Sequence, residues 1–284
     1  MLFLCLSILC SVLVSVWLKL ARRFGLDVPQ MVAWNYLAAG SLVALVLHPS
    51  LAPLRQPDAP RFAVLALAVL LPAIFLALGT SVRHAGIVRS DVAQRLSLLI
   101  SLLAAFVLFG QLPTPRMLAG LALGLLALAA MVWRGRAARA DGAAAWLWPL
   151  VVCIGFGAID ILLKQVAAAG IPIAASLQAM FALALPVALG FALLARRRSG
   201  ARFTAPSLAG GLLLGVLNFG NILFYLRAHV ALPNDPALVF ATMNLGVVAL
   251  GTLVGVLVFR ERLSRINAIG VLLAAAAIAL LTLA

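Results

Sequence analysis

Polar side chains recur at helical spacing inside stretches that are otherwise apolar, and they are the first candidates for binding chemistry. Ser7, Ser11, Ser15 and Lys19 follow one another every four residues, so they share one face of a helix. Hydroxyl groups and an ammonium could bind a polar ligand from such a face. The alternative is structural, because serines also permit close helix packing and a Lys at a helix C-terminus complements the helix dipole.

The two lysines stand out because every other basic side chain, apart from three histidines, is one of nineteen arginines. Lys19 ends the run that begins at Ser15, and Lys164 ends a matching run that begins at Asp160, 145 residues later. A compact ammonium at both places indicates a requirement that the planar guanidinium does not meet. Asp160 precedes Lys164 by one helical turn, which favours an ion pair. The other interpretation is that Asp160 is a site for substrate charge or proton coupling.

Asp91 and Arg95 repeat this one-turn spacing of an acid and a base. Arg95 could line a binding site or extend along the helix to the polar surface. Its neighbour Gln94 matches Asn244, 150 residues later. Two amides at equivalent places of a duplicated chain are expected near the axis that relates its halves, where a ligand would bind. The alternative is that each amide bonds a neighbouring helix.

A third group comprises Asn218, Asn221 and Tyr225, spaced by three and four residues in an apolar run. Two amides and a phenol on one helix face are unfavourable against hydrocarbon, so we expect them to line a cavity. The predicted substrate-binding residues are therefore Ser11, Ser15, Lys19, Gln94, Asn218, Asn221, Tyr225 and Asn244. The predicted coupling or ion-pair residues are Asp91, Arg95, Asp160 and Lys164.

Enzymatic signatures are not found in the sequence. It contains neither G-x-S-x-G nor H-E-x-x-H, and its three cysteines show no metal-ligand spacing. We therefore expect no catalytic residues, no metal and no cofactor. A nucleotide-binding motif is also missing, so energy for any transport would come from a gradient or from the substrate itself.

Composition identifies the elements that must position these side chains. The chain of 284 residues is 65% hydrophobic and 10% charged, with a mean hydropathy of +1.20. Soluble domains carry about 25% charged residues. The sequence thus predicts an all-α polytopic membrane protein within a lipid bilayer. The net charge is +14, and the basic residues that produce it lie between apolar runs. This placement favours a membrane surface over nucleic acid as the partner.

Ten segments are apolar over about the 20 residues that cross a bilayer. They span residues 2–21, 30–48, 62–80, 91–109, 116–133, 146–166, 173–195, 207–226, 237–259 and 266–283. Residues 1–140 and 141–284 would each hold five of them. Because five is odd, the second half would enter the membrane in the opposite orientation, giving two inverted repeats.

Late in each half the same pattern recurs. Phe109-Gly-Gln111 is followed by Gly120, and Phe259-Arg-Glu261 by Gly270, at a constant offset of 150. With ten segments and the paired lysines, this pattern resembles the drug/metabolite transporter superfamily, most closely its EamA type. Arg260 replaces the usual Gly, and Gln111 the usual Glu. The resemblance implies a cavity lined mainly by the first, third, fourth, sixth, eighth and ninth segments, and substrates such as amino acids, drugs and other small metabolites, often exported.

Loop charge predicts the orientation. Fourteen arginines fall between segments on the side opposite the termini, and four fall on the terminal side. Basic loops stay in the cytoplasm, so both termini are predicted to be periplasmic or extracellular in a bacterial inner membrane. We expect a secondary active transporter that is monomeric or homodimeric, exports its substrate and works by alternating access. The alternative is a flippase for a lipid or lipid-linked precursor, with a lateral opening beside Lys19 or Arg95.

Overall fold

A computed structural model describes residues 1–56, 59–108, 114–132, 144–200, 202–232 and 236–282. Within these ranges the chain is almost entirely α-helical and contains no strand. One short 3₁₀ helix covers Ala52–Arg55. The α-helices are α1 (Leu2–Ala21), α2 (Val28–Leu47), α3 (Arg61–Ala85), α4 (Ile87–Leu96), α5 (Leu98–Leu108), α6 (Pro115–Val132), α7 (Ala144–Ala168), α8 (Ile173–Ser199), α9 (Ala205–Ala231), α10 (Pro236–Leu257) and α11 (Arg265–Thr282).

In the described part of the chain, six helices are long and apolar enough to cross a membrane: α1, α2, α3, α7, α8 and α9. Each has at least 20 residues, and at about 1.5 Å per residue this length matches a hydrocarbon core of roughly 30 Å. Shorter apolar stretches lie in α6, α10 and α11. The expectation of a multi-pass helical membrane protein is therefore confirmed.

The fourth predicted segment, 91–109, is wrong as a continuous helix. Helix α4 already begins at Ile87, and the α-helical hydrogen-bond pattern is interrupted at Ser97, which keeps right-handed helical dihedral angles, before α5 begins. The backbone N–H of Ser97 bonds Gln94 O at 3.4 Å and its carbonyl accepts from Ile100 N at 2.9 Å, a tighter, 3₁₀-like turn. The Ser97 hydroxyl donates to Asp160 at 3.3 Å, so a side-chain bond to α7 accompanies the break.

Helix α9 lies unusually close to α2, because two glycines face the neighbouring backbone. A Cβ added at Gly215 would come within 2.6 Å of Asn35 O, and one at Gly211 within 2.7 Å of Met31 O. Only glycine fits at these two positions, as expected for small residues at helix interfaces in membranes. This approach brings the polar stripe of α9 within reach of α2.

Several long-range contacts gather one set of helix ends at a common end of the bundle. Glu261, after α10, contacts the end of α1 and the beginning of α4. Gln30, at the beginning of α2, donates to Arg202 O at 2.9 Å and accepts from Thr204 N at 3.1 Å, just before α9. Asn267, early in α11, donates to Ala130 O near the end of α6 at 2.9 Å. We call this the basic end.

The basic end carries eleven of the fourteen arginines that predict a cytoplasmic face. The other three, Arg134, Arg136 and Arg139, lie outside the described residues, as does the motif at 109–111. At the opposite end, α7 ends and α8 begins around Gly170, whose φ of +73° suits a residue without a side chain.

Candidate functional site

A cavity of about 600 Å³ lies inside the bundle and is bounded by α1, α2, α3, α4, α7, α8, α9 and α10. Sites for small organic ligands commonly enclose about 300–1,000 Å³. Among its lining residues, Leu163, Lys164, Ala167 and Ile173 are exposed, and all four lie where α7 ends and α8 begins. The cavity therefore opens at the end of the bundle opposite the basic end.

One side of the cavity is polar. Helices α1, α4, α9 and α10 supply amide, hydroxyl and guanidinium groups that face it. These residues are Ser11, Ser15, Gln94, Arg95, Asn218, Asn221, Tyr225 and Asn244. They include seven of the eight side chains that the sequence analysis assigns to substrate binding, and Lys19 is the exception. Their part in binding a substrate remains a prediction.

The facing wall is apolar and comes from α2, α3, α7 and α8. At its centre Tyr36 packs between Phe75 and Phe181, with ring centroids 6.2 Å and 5.7 Å away. Phe156 and Met180 extend this surface. The Tyr36 hydroxyl is buried, without a hydrogen-bond partner in the described part of the chain. The cavity thus presents one polar and one apolar face to the same space.

Arg95 links the polar wall across three helices. Its Nη1 donates to Asn244 Oδ1 at 3.2 Å and its Nη2 donates to Ser11 Oγ at 2.9 Å. Its Nε atom is buried and bonds no group in the described ranges. Arg95 therefore does not extend to the polar surface, which was one interpretation of the sequence. It lies inside the bundle with donor capacity to spare, since a guanidinium carries five N–H groups.

The amides of α9 also join neighbouring helices. Asn218 Nδ2 donates to Asn35 Oδ1 on α2 at 3.2 Å, and Ser7 Oγ donates to both oxygens of Asn221, each at 2.9 Å. Packing against neighbouring helices and lining a cavity are therefore not alternatives for these residues, because the same side chains do both. These bonds fix the orientation of the polar wall.

Two carboxylates lie behind the polar wall. Asp91 is 2% exposed and accepts a 2.6 Å bond from Ser15 Oγ through Oδ1, while Oδ2 has no hydrogen-bond partner among the described residues. A Cβ added at Gly251 of α10 would come within 2.6 Å of that Oδ2. Asp160 accepts from Ser97, as described above. Neither carboxylate lines the cavity.

Among the described residues, the structure does not show the i,i+4 ion pairs that the sequence predicts. Asp91 and Arg95 make no ion pair with each other, since each bonds neutral groups within the described structure. Lys164 lies exposed at the mouth of the cavity and forms no ion pair with any described residue. An exposed lysine at the mouth is well solvated. Fixing it in one rotamer for an ion pair would cost side-chain entropy for little electrostatic energy.

Lys19 is the clear correction to the predicted site. It lies at the basic end, away from the cavity, where its ammonium pairs with Glu261 and lies 4.6 Å from the centre of the Phe259 ring. Glu261 also accepts the backbone N–H groups of Ile87 at 2.7 Å and Val88 at 3.2 Å. We call Lys19, Glu261 and the first turn of α4 the latch. The ion pair follows from a carboxylate brought close by folding, 242 residues along the chain.

The sequence patterns indicated neither the apolar wall nor Tyr36 at its centre. Aromatic residues in apolar helices are too common to indicate a site, and Tyr at a membrane surface is common. The useful signal was position, because Tyr36 lies near the middle of α2 and far from either end. A phenol there needs a polar partner or a cavity.

Comparisons with known proteins identify relatives of the whole chain. No protein-family model matches it. A protein of Haemophilus influenzae, named only as an uncharacterized protein, is 40% identical over 280 residues, which cover 96% of this chain and 94% of the relative. A solved crystal structure of another protein aligns with 99% of this chain and 96% of its own, at a TM-score of 0.59 and 18% identity. At that identity the likeness concerns the fold alone.

Proposed function

This chain belongs to the same family as the Haemophilus influenzae protein, and we propose that it is a secondary active transporter that exports small metabolites, amino acids or drugs by alternating access. The observation that carries the proposal is the cavity itself. It is open at one end and lined by polar groups from both halves of the chain, and the latch residues at the basic end lie outside its lining. A carrier needs such a site, reachable from one side at a time.

Helix packing supports two inverted repeats, residues 1–140 and 141–284, with ten membrane crossings in which α4 and α5 make one. In that arrangement α1 corresponds to α7, α2 to α8, α3 to α9 and α6 to α11. The contact of α1 with α9 then has its counterpart in α7 with α3, and α2 with α9 in α8 with α3. When the two halves are exchanged, the contact of α2 with α8 and that of α6 with α11 each become the same contact again. Such pairing is expected of a twofold axis in the membrane plane.

The latch gives a physical reason for the motif that resembles the EamA type. The Phe259 ring makes a cation–π contact with the Lys19 ammonium, and the Glu261 carboxylate lies at the positive end of the α4 dipole. We therefore propose membership of the drug/metabolite transporter superfamily. The basic end would face the cytoplasm of a bacterium, so the described conformation is open to the outside and closed inside. Movement of substrate from the cytoplasm then requires the latch to open.

Counterflow in proteoliposomes tests the proposal. Purified protein is reconstituted with a high internal concentration of each candidate substrate, and entry of the same radiolabelled compound is followed. Transport that falls at least tenfold in Arg95→Gln, but not in Arg55→Gln, is the expected result. Arg55 is an exposed arginine outside the cavity and serves as the matched control. Failure of every amino acid, drug and metabolite tested to exchange would refute the proposal.

The flippase alternative loses one of its two supports, because Lys19 pairs with Glu261 and is unavailable to a phosphate headgroup. The same vesicles, loaded with fluorescent phospholipids, distinguish the two functions. Phospholipid scrambling that depends on Arg95, without exchange of any soluble compound, would establish the flippase instead.

A further inference from the structure

We infer that the cavity selects a small monocarboxylate with an apolar body and binds its carboxylate at Arg95. This inference rests on the proposed function and narrows its substrate class. Two features of the cavity carry it: the sign of the charges on its lining, and the division of that lining into a donor-rich wall and an apolar wall.

The charged groups on the described lining are both cationic. Arg95 lies inside, Lys164 lies at the mouth, and no Asp or Glu is among the lining residues. An anion approaching the mouth would meet Lys164 first and would then reach the guanidinium in a confined space. Charges of one sign lining a cleft raise the local concentration of the opposite charge.

Hydrogen-bond donors exceed bound acceptors around Arg95. Two of the five guanidinium N–H groups are bonded, to Asn244 and Ser11, and each Nη atom keeps a second N–H on a half-buried side chain that lines the cavity. A ligand that accepts bonds from these remaining Nη groups is favoured, because a hydrogen bond to a charged group contributes about 1.5–3 kcal/mol. A planar carboxylate matches the guanidinium fork with two acceptor oxygens.

The apolar wall defines the rest of the ligand. Phe75, Phe156, Phe181 and Met180 line the space with the Tyr36 ring and offer no charge to a polar substituent. An aromatic or branched aliphatic body would be removed from water there, at roughly 25 cal/mol per Å² of apolar area. The ligand would lie with its carboxylate on the polar wall and its body on the apolar wall.

The same lining disfavours cations and zwitterions. An ammonium inside the cavity would find neutral acceptors only, because the carboxylates of Asp91 and Asp160 lie outside the lining. The unpaired Oδ2 of Asp91 is directed at Gly251 of α10. A free amino acid would therefore bury an ammonium that no carboxylate of the lining neutralises, which is costly. Carboxylates that lack the α-ammonium should bind more tightly than the corresponding amino acids.

A matched ligand series measures this preference by isothermal titration calorimetry on the full-length protein in detergent. The probes are 3-phenylpropanoate, its primary amide, 3-phenylpropan-1-amine and phenylalanine, with acetate and 3-methylbutanoate as smaller carboxylates. We expect 3-phenylpropanoate to bind at least tenfold more tightly than its amide, the amine or phenylalanine. Acetate should bind more weakly than 3-methylbutanoate because it lacks a body for the apolar wall.

Variants then locate the carboxylate. Arg95→Gln should weaken 3-phenylpropanoate at least tenfold, and Arg55→Gln should leave its affinity unchanged. Arg95→Lys keeps the charge but loses the fork, so an intermediate loss is expected and covers the case in which Arg95→Gln does not fold.

Three results would overturn the inference: no carboxylate of the series binds, the amine or phenylalanine binds as tightly as 3-phenylpropanoate, or folded Arg95 variants retain its affinity. Counterflow separates this failure from failure of the proposed function. Carboxylates that bind but do not exchange refute transport and leave the binding class standing. Amines or amino acids that exchange, without competition by carboxylates, establish transport and refute the class.

Discussion

The latch should determine how often the basic end opens, and Glu261→Gln tests this. The substitution preserves the shape of the side chain but removes its charge. The Lys19 and Glu261 side chains are 23% and 12% exposed, so their ion pair belongs near the upper end of the about 0.2–1 kcal/mol seen for exposed pairs. Losing the charge at the start of α4 adds about 0.3–1 kcal/mol, and losing one of two backbone bonds adds about 1 kcal/mol.

Together these losses amount to at least about 2 kcal/mol, which corresponds to an open population larger by roughly 30-fold or more. Maleimide labelling of a Val88→Cys probe measures that population in a background whose native cysteines are replaced. Val88 is 1% exposed and lies in the first turn of α4, so labelling requires opening. When reclosing is faster than labelling, the rate is proportional to the open fraction. We expect Glu261→Gln to accelerate labelling about 30-fold or more.

Asp27→Asn is the matched control for the latch. Asp27 also accepts a backbone N–H at a helix N-terminus, from Gln30 at 2.9 Å, and it lies at the same end of the bundle. Its carboxylate caps only its own helix, α2, so its loss should not open the bundle. Labelling of Val88→Cys that stays within twofold in Glu261→Gln, or that rises equally in Asp27→Asn, would refute the latch.

Three further predictions concern the packing and the charges of the site. Gly215→Ala should lower the stability by about 1–3 kcal/mol, because the new methyl group would meet the α2 backbone; thermal denaturation in detergent measures this. Lys164→Ala should weaken uptake of an anion mainly at low salt, since Lys164 lies at the mouth, and uptake at two ionic strengths measures the difference. Asp160→Asn should abolish accumulation driven by a proton gradient while counterflow persists.

Each of these has an internal comparison. Gly190→Ala, on α8, meets no atom within 4 Å and should be neutral or stabilising, so equal losses at both glycines would contradict the packing argument. Loss of uptake in Lys164→Ala that is independent of salt would indicate a contact with bound ligand instead of attraction at the mouth. Accumulation that survives in Asp160→Asn would remove Asp160 from coupling and direct attention to Asp91.

The polar wall was predictable because helical spacing and the cost of burying polar groups in hydrocarbon leave few arrangements. Amides three and four residues apart share a face, and that face must meet water, a ligand or another polar group. The structure places Asn218, Asn221 and Gln94 around one cavity, as this reasoning requires. The orientation of the chain in its membrane and the substrate of the cavity stay predictions.

Other features depend on contacts between residues that lie far apart in the sequence, so no local pattern predicts them. The position of Lys19 is decided by Glu261, which lies 242 residues later in the chain and comes near only in the folded protein. The break between α4 and α5 occurs at Ser97, a residue that does not by itself interrupt helices, and its side-chain partner is on α7. Tyr36 lies opposite the polar wall because Gly211 and Gly215 let α9 approach α2, which no pattern within α2 indicates.

The first turn of α4 is capped by a residue from the other half of the chain. Gly86, just before the helix, has no side chain with which to cap it, and its φ of +90° together with the Glu261 carboxylate 2.7 Å from a Cβ position admits none. The amides of Ile87 and Val88 are therefore protected only while the halves are joined at this end. Hydrogen exchange at these two amides should report, without any introduced label, which side of the membrane the cavity faces.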